Sequence, residues 1–394
     1  MLLLLALLLT ACGSDNKEEI ANPDEDCYLD IYVYAPDRPI VTRADVGEIT
    51  SSDAESIVHS LQIWVFKKSN GEKVGYLDAD PEYLNENGQQ TYRMIITNDF
   101  AKYPENVDVY VVANAANYVT TTLDANTTRD ALNEAMIGSA YFGTTDLYGE
   151  KELLSTGRIA TQGLPMSAVV KNQPVTGSFP TLRVGTSDKM TVMQLSRAVS
   201  KLRFVLCRIK ELNFSTKKLN SIDDISLAAN QIPTQTYLIP RERYTYTYSH
   251  DAISYGSVAK DVIPEVEDPL IYVYSTQKAQ EYEDLINAAI AHEENGNPKP
   301  LLKELGLTYF RESDKQLTGT ITYTYTDNGV TKSNQTATFS ISAPGDFLRN
   351  HSWIIYVYYI DSKIYILTVT HIGMRSWVMD DDGPQGESKY VYNW

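Results

Sequence analysis

Short runs with apolar residues at alternate positions, separated by turn residues, most narrow what this chain can fold into. Cys27-Tyr28-Leu29-Asp30-Ile31-Tyr32-Val33-Tyr34 puts Leu29, Ile31 and Val33 on one face of an extended segment, because successive side chains of a strand point to opposite faces. Leu61-Gln62-Ile63-Trp64-Val65-Phe66 is apolar on both faces, which predicts an interior strand. Further strands are expected over 92–97, 107–114, 243–248, 270–274 and 318–326. Asn328-Gly329 is the strongest short-range hairpin signal, so Asp327-Asn328-Gly329 should turn 320–325 back onto 336–342. The last strands are expected over 353–360 and 363–370, joined at Asp361-Ser362. Tyrosine fills much of this pattern, with 28 residues against 9 Phe, and it suits a half-buried pleated surface. Such spacing predicts a mainly β chain built from β-sandwiches.

Helical signals are few. A short helix is expected over 128–137, capped by Thr127 or Thr128. A helical insertion is expected over 277–306, where Leu285, Ile286, Ala289 and Ile290 fall at helical spacing. Residues 191–207 have mixed spacing, and the β-branched and aromatic content of 202–207 favours strands. A chain of 394 residues should hold two or three domains at about 150 residues each, with a boundary near 190.

Charge and cysteine usage exclude several classes. Acidic residues outnumber basic ones 51 to 34, a net charge of −17. That argues against a nucleic-acid partner, which needs a clustered basic footprint, and fits a soluble body held off an anionic membrane. Cys27 and Cys207 have no metal-like spacing, and Cys207, in Phe204-Val205-Leu206-Cys207, reads as a small buried hydrophobe. HExxH, G-x-S-x-G, Walker, G-x-G-x-x-G and C-x-x-C patterns are all missing. Ser257-x-x-Lys260 lacks the partner motifs of its class and reads as loop. The histidines at 59, 250, 292, 351 and 371 show no ligand spacing. Asp380-Asp381-Asp382-Gly383, near Glu387, lacks the alternation of a calcium loop and reads as a solvated acidic turn. No catalytic residue, metal ligand or cofactor is expected.

The two ends carry the remaining signals. The apolar run Leu2–Leu9 is too short for a membrane span, which needs about 20 residues, but suits an export signal over 1–11. Leu9-Thr10-Ala11-Cys12 reads as a lipobox, with Cys12 the lipidated residue, and several acyl chains would hold the protein on a membrane. Residues 13–26 are polar, acidic and without period, a flexible tether. In the tail, Tyr390, Tyr392 and Trp394 share one face around Val391. Two readings stay open there: a strand seated in a groove elsewhere, or an edge strand of its own domain.

These features in this order resemble the fimbrillins of Bacteroidales, the type V pilus subunits of the major and minor fimbrium families. The residues that carry the resemblance are the lipobox at Cys12, Thr42-Arg43-Ala44-Asp45, and Glu55-Ser56-Ile57 leading into 61–66. With them go Leu195-Ser196-Arg197-Ala198-Val199-Ser200-Lys201-Leu202, Arg349-Asn350-His351 before a Tyr-rich strand, and the ending at Trp394. The 277–306 insertion has no place in it.

The resemblance implies two transthyretin-like β-sandwich domains, over 44–189 and 190–394, preceded by a lipid tether and removable strand over 12–43. It implies an outer-membrane lipoprotein precursor, carrying acyl chains such as palmitate, cut by an arginine-specific protease between Arg43 and Ala44. The product would join other fimbrial subunits on the cell surface by donor-strand exchange and support adhesion, with no enzymatic activity. Arg43 is the better scissile residue because Arg38 precedes Pro39. Losing Leu29, Ile31 and Val33 would open an apolar groove with unpaired backbone, a template for an added strand. The donor would be a C-terminal segment carrying Tyr390, Val391, Tyr392 and Trp394. The alternatives are a fimbrial anchor that keeps its leader, a tip adhesin, or a surface glycan-binding β-sandwich lipoprotein with tyrosines stacked on sugars.

Overall fold

The computed structural model describes residues 26–35, 55–138, 161–210, 215–240, 246–248, 251–267, 287–312, 315–341, 349–350, 352–360, 362–371, 378–380 and 383–385. These residues are mainly β, in four five-stranded and three two-stranded sheets with a few short helices. The early elements are β1 (Cys27–Tyr34), β2 (Leu61–Lys67), β3 (Lys73–Ala79), α1 (Glu82–Asn87), β4 (Gln89–Ile96), α2 (Asn98–Lys102), β5 (Val107–Ala113) and α3 (Arg129–Glu134).

In the first sheet β1 is interior. It runs antiparallel to β4 along one edge and parallel to Thr181–Val184 and Val192–Gln194 along the other, with Val175–Ser178 outside them. The second sheet has the order Ser196–Arg197, Met166–Gln173, β5, β2, β3. Leu29, Ile31, Val33 and Met94 from the first sheet join Leu61, Ile63, Val65 and Val111 from the second in one buried cluster. β2 is central between β3 and β5, as its two-faced apolar run predicts. Its alternate residues Trp64 and Phe66 are buried as well. The Trp64 indole N–H donates to the Asp124 carbonyl at 2.9 Å, and the Tyr110 hydroxyl donates to Asn133 Oδ1 at 3.0 Å. Residues 115–138 therefore cover the second sheet's outer face. Thr128 caps α3 by accepting from the Ala131 N–H at 3.2 Å. That helix stops at Glu134, short of the expected 137, because Met136–Ile137 pair with Thr236–Tyr237 instead.

The other two sheets form a second core. The third holds Val199–Ile209 between Ser352–Ile360 and the antiparallel strand Lys303–Arg311, with Lys363–His371 beyond. The fourth pairs Lys217–Leu227 with Leu317–Asp327, and that strand with Val330–Ile341. Leu202, Phe204, Trp353 and Ile355 of the third sheet meet Ile222, Ile225 and Ile321 of the fourth. Residues 191–207 are strands, as their β-branched content argues. The Asn328-Gly329 hairpin forms, with φ of 48° and 79° at the two turn residues, the left-handed pair that matches strand twist.

Two expectations need correction or a sharper statement. Only 287–290 of the insertion expected to be helical over 277–306 is a helical turn among the described residues. Glu293–Glu294 and Asn297–Pro298 form a small hairpin, and Lys303–Arg311 is a strand of the third sheet. Asn295 and Gly296 take positive φ of 55° and 78°, and Pro298 and Pro300 remove donors, so the helical spacing cannot continue. The proposed division near 190 meets a connector rather than a gap. Val192–Gln194 and Ser196–Arg197 belong to the first and second sheets, and the chain enters the third at Val199. Of the other expected strands, 270–274 and the first part of 243–248 lie outside the described residues, and Tyr248 makes an isolated bridge with Pro233.

Two glycines separate backbone strain from steric conflict. A Cβ at Gly329 meets nothing within 4 Å, whereas one at Gly319 falls 2.1 Å from the Phe339 ring and 2.5 Å from the Ser226 carbonyl oxygen. Gly329→Ala is expected to cost about 1 kcal/mol, the left-handed penalty alone. Gly319→Ala should cost about 3 kcal/mol, the upper range of overpacking. Urea unfolding midpoints of the two variants, compared at constant m, check the order.

Candidate functional site

Strand β1 is the sequence-predicted element that the fold treats most unusually. Leu29, Ile31 and Val33 are each 0% exposed, and Cys27 and Ala35 flank them as buried residues. The burial alternates along the whole strand, as its period-two sequence requires. β1 also holds its sheet together: among the described residues, β4 and Val192–Gln194 each find their only ladder partner in it. Taking β1 away would leave β4 and Val192–Gln194 without a ladder, the latter tied to Thr181–Val184 only through the Thr191 N–H on the Val184 carbonyl at 2.9 Å and the Gly185–Met190 bridge.

The outer face of β1 is polar and aromatic. Asp30 accepts two hydrogen bonds from the Arg93 guanidinium on β4, at 2.8 and 2.9 Å. The same guanidinium lies 5.5 Å from the centre of the Tyr28 ring. The Tyr32 hydroxyl donates to Gln89 Oε1 at 2.8 Å, and its ring meets Tyr34 edge-on at 5.0 Å. Burial, and then the Tyr34 hydroxyl beside it, push the Tyr32 pKa up to about 12. At the strand's start the Cys27 thiol donates to Asn98 Oδ1 at 2.7 Å. Neither Cys27 nor Cys207 is in a disulfide and both are buried, and burial raises the Cys207 thiol to about 12.

A second constellation lies where the two cores meet, and it unites three of the motifs that carry the sequence resemblance. Glu55 Oε2 pairs with Lys201 Nζ at 3.0 Å, and its other oxygen accepts from the Tyr309 hydroxyl. The Arg197 guanidinium donates to the Glu55 carbonyl at 2.9 Å, to Ser56 Oγ at 2.8 Å and to Asn350 Oδ1 at 3.2 Å. The Asn350 N–H in turn donates to the Val199 carbonyl at 2.7 Å. Beside it, Arg349 donates to Glu312 at 2.7 Å and to the carbonyls of Leu238 and Tyr237 at 2.8 and 2.7 Å. Glu55, Lys201, Glu312 and Arg349 are all buried. Breaking one such pair strands a charge away from water and typically costs about 3–5 kcal/mol. The sequence motifs hold Glu55, Ser56, Arg197, Lys201, Arg349 and Asn350 without linking them, and nothing in them marked Tyr309 or Glu312. The available signal was Lys201 and Arg203 interrupting an otherwise apolar strand.

Cys12, Arg43, Ala44, Tyr390, Val391, Tyr392 and Trp394 lie outside the described residues, as does most of the acidic turn at Asp380–Asp382. No group of three or more His, Cys, Asp or Glu able to hold a metal occurs among the described residues. No helix among them is long and apolar enough to cross a membrane. Ser257 and Lys260 flank Val258–Ala259, a short strand on the edge of the fourth sheet.

The buried face of β1 yields a direct expectation. Ile31→Ala should cost about 2–5 kcal/mol, as for other truncations in a packed core, and should make Cys27 reactive to a thiol reagent under native conditions. Cys207, away from β1, should stay unreactive, with its thiol protonated in the folded protein up to about pH 12. Its folded pKa lies above the unfolded value, so the stability it contributes is present below pH 9 and lost as pH rises toward 12. Thiol labelling followed by peptide mass spectrometry distinguishes the two cysteines.

No protein-family model matches the chain, and no curated protein matches it in sequence. Solved structures do resemble it. The tip fimbrial protein Mfa3 from Porphyromonas gingivalis, with C-terminal truncation, is 15% identical, with a TM-score of 0.44 over 88% of this chain and 99% of that one. A fimbrial assembly protein from Parabacteroides distasonis is 12% identical, with a TM-score of 0.41 over 94% and 99%. A fimbrilin (fimA) from Porphyromonas gingivalis W83 is 10% identical, with a TM-score of 0.43 over 84% and 89%.

Proposed function

We propose that this chain is a structural subunit of a surface fimbria, exported as a lipoprotein on Cys12, cleaved after Arg43 and polymerised by donor-strand exchange. The observation that carries this reading is the position of β1: interior to its sheet, with Leu29, Ile31 and Val33 fully buried. Arg43-Ala44 follows nine residues after Tyr34 in the sequence, so one cut there separates the strand from everything that follows it. A slot left by β1 would expose an apolar floor and two unpaired strand edges, which recruit a strand from another chain. A donated segment restores the ladder and the buried area together. The donor proposed is a C-terminal segment carrying Tyr390, Val391, Tyr392 and Trp394.

In this account the partners are other fimbrial subunits, an arginine-specific protease, and the outer membrane before cleavage. The domains proposed are 44–189 and 190–394, after the signal 1–11 and the leader 12–43. The Arg43-Ala44 junction favours a subunit that is cut over an anchor that keeps its leader. The outward tyrosines of β1 are occupied by Arg93, Gln89 and one another, which gives the glycan-binding reading no support.

Treatment of the purified precursor with a trypsin-like protease should convert monomer into ladders on unheated gels. Arg43→Ala and a truncation lacking 386–394 should each abolish them. Ladders surviving in both variants would show that assembly uses neither element. Separately, Cys12→Ala should remove detergent-phase partitioning of the precursor, and unchanged partitioning would refute lipidation at Cys12.

A further inference from the structure

The connector between the two cores is held at three successive points by different parts of the chain. Its first piece, Val192–Gln194, ladders onto β1 through Tyr32, Val33 and Tyr34. The Leu195 N–H then donates to the Tyr34 carbonyl at 3.1 Å, and the Gln194 side-chain amide donates to the Ala35 carbonyl at 2.9 Å. The second piece, Ser196–Arg197, pairs with Met166–Gln173, and the Ala198 N–H donates to the Pro165 carbonyl at 2.8 Å. The third point is the junction of Glu55, Arg197, Lys201, Tyr309 and Asn350, with the Asn350 N–H on the Val199 carbonyl.

Glu55 can grip the second core because the segment it starts is fastened to the first. Asn85 exchanges two hydrogen bonds with the Val58 backbone, at 2.9 and 2.7 Å. Asn114 accepts from the His59 and Ser60 N–H groups at 2.7 and 3.2 Å and donates to the Ile57 carbonyl at 2.8 Å. None of these bonds passes through β1.

We infer that β1 and the Glu55 junction are two independent latches on one connector, so that emptying the β1 slot frees residues 192–195 while the junction keeps the two cores joined. The biological consequence rests on the reading of β1 as removable. A cleaved subunit then stays in one piece with one edge of its slot loosened, and a strand entering the slot clamps the connector again. Filling the slot thereby stiffens the link between the cores.

The test needs no cleavage. In the full chain, Ile31→Asp with Val33→Asp places charges in an apolar core and dislodges β1, which Cys27 alkylation reports. Amide exchange read at single residues should be at least tenfold faster at Leu195, with Ala198 and Asn350 changing by less than threefold. Adding Glu55→Gln should then accelerate Asn350 tenfold or more. Glu55→Gln alone should accelerate Asn350 while leaving Leu195 protected and Cys27 unreactive. If the double variant fails to fold, Val33→Ala serves in its place: Cys27 labelling and Leu195 exchange should rise by the same factor, with Asn350 unmoved. Reactive Cys27 with unchanged Leu195 overturns the inference, as does acceleration of Leu195, Ala198 and Asn350 together. Either result leaves the protease and ladder experiment standing, and missing ladders would leave the two latches standing.

Discussion

The first sheet depends on one strand. A strand at a sheet edge gains one ladder, whereas β1 supplies ladders to strands on both sides of it and a buried apolar face beneath. Its two edges differ in kind. β4 matches it residue for residue from Cys27 to Tyr34, while the opposite edge is shared by two short consecutive strands, Thr181–Val184 and Val192–Gln194, from far along the chain. Backbone groups freed inside a sheet lose their partners without regaining full access to water, and such groups cost free energy until paired again. The loss of β1 is therefore a change in what the whole sheet can bind, more than the loss of eight residues' contacts.

The junction between the cores works by a different physical rule. Charged groups such as Lys201 with Glu55 and Arg349 with Glu312 are buried, and a buried ion pair adds little net stability over apolar packing of equal volume. Its distinguishing property is intolerance of misplacement, since a shifted partner leaves a charge without water or counter-ion. Apolar burial is non-directional, whereas these pairs and the guanidinium bonds of Arg197 hold in one geometry only. The junction thus fixes how the second core sits against residues 55–58.

Local pattern made much of this visible in the sequence. Period-two alternation identified β1 and its buried face, two-sided apolarity identified β2 as interior, and Asn328-Gly329 located the hairpin. Each is set by neighbours within a few residues. The misjudged insertion over 277–306 failed for the same reason in reverse: Leu285, Ile286, Ala289 and Ile290 obey a helical period, but Asn295, Gly296 and Pro298 break the backbone before it extends, and Lys303–Arg311 finds a strand partner more than ninety residues away in sequence.

The sequence by itself determined some of the strands, among them β1, β2, β5 and the Asn328-Gly329 hairpin, and which face of β1 is apolar, because alternation and turn chemistry are local properties. Only the tertiary structure decided that β1 is interior, that β4 and Val192–Gln194 rely on it alone among the described residues, and that Glu55, Arg197, Lys201, Tyr309 and Asn350 converge. Those facts depend on which strands pair across long loops, and on charges whose partners lie up to 254 residues away. Side-chain pattern names a strand's faces but not its neighbours, and a buried charge declares its partner only once the chain has closed around it.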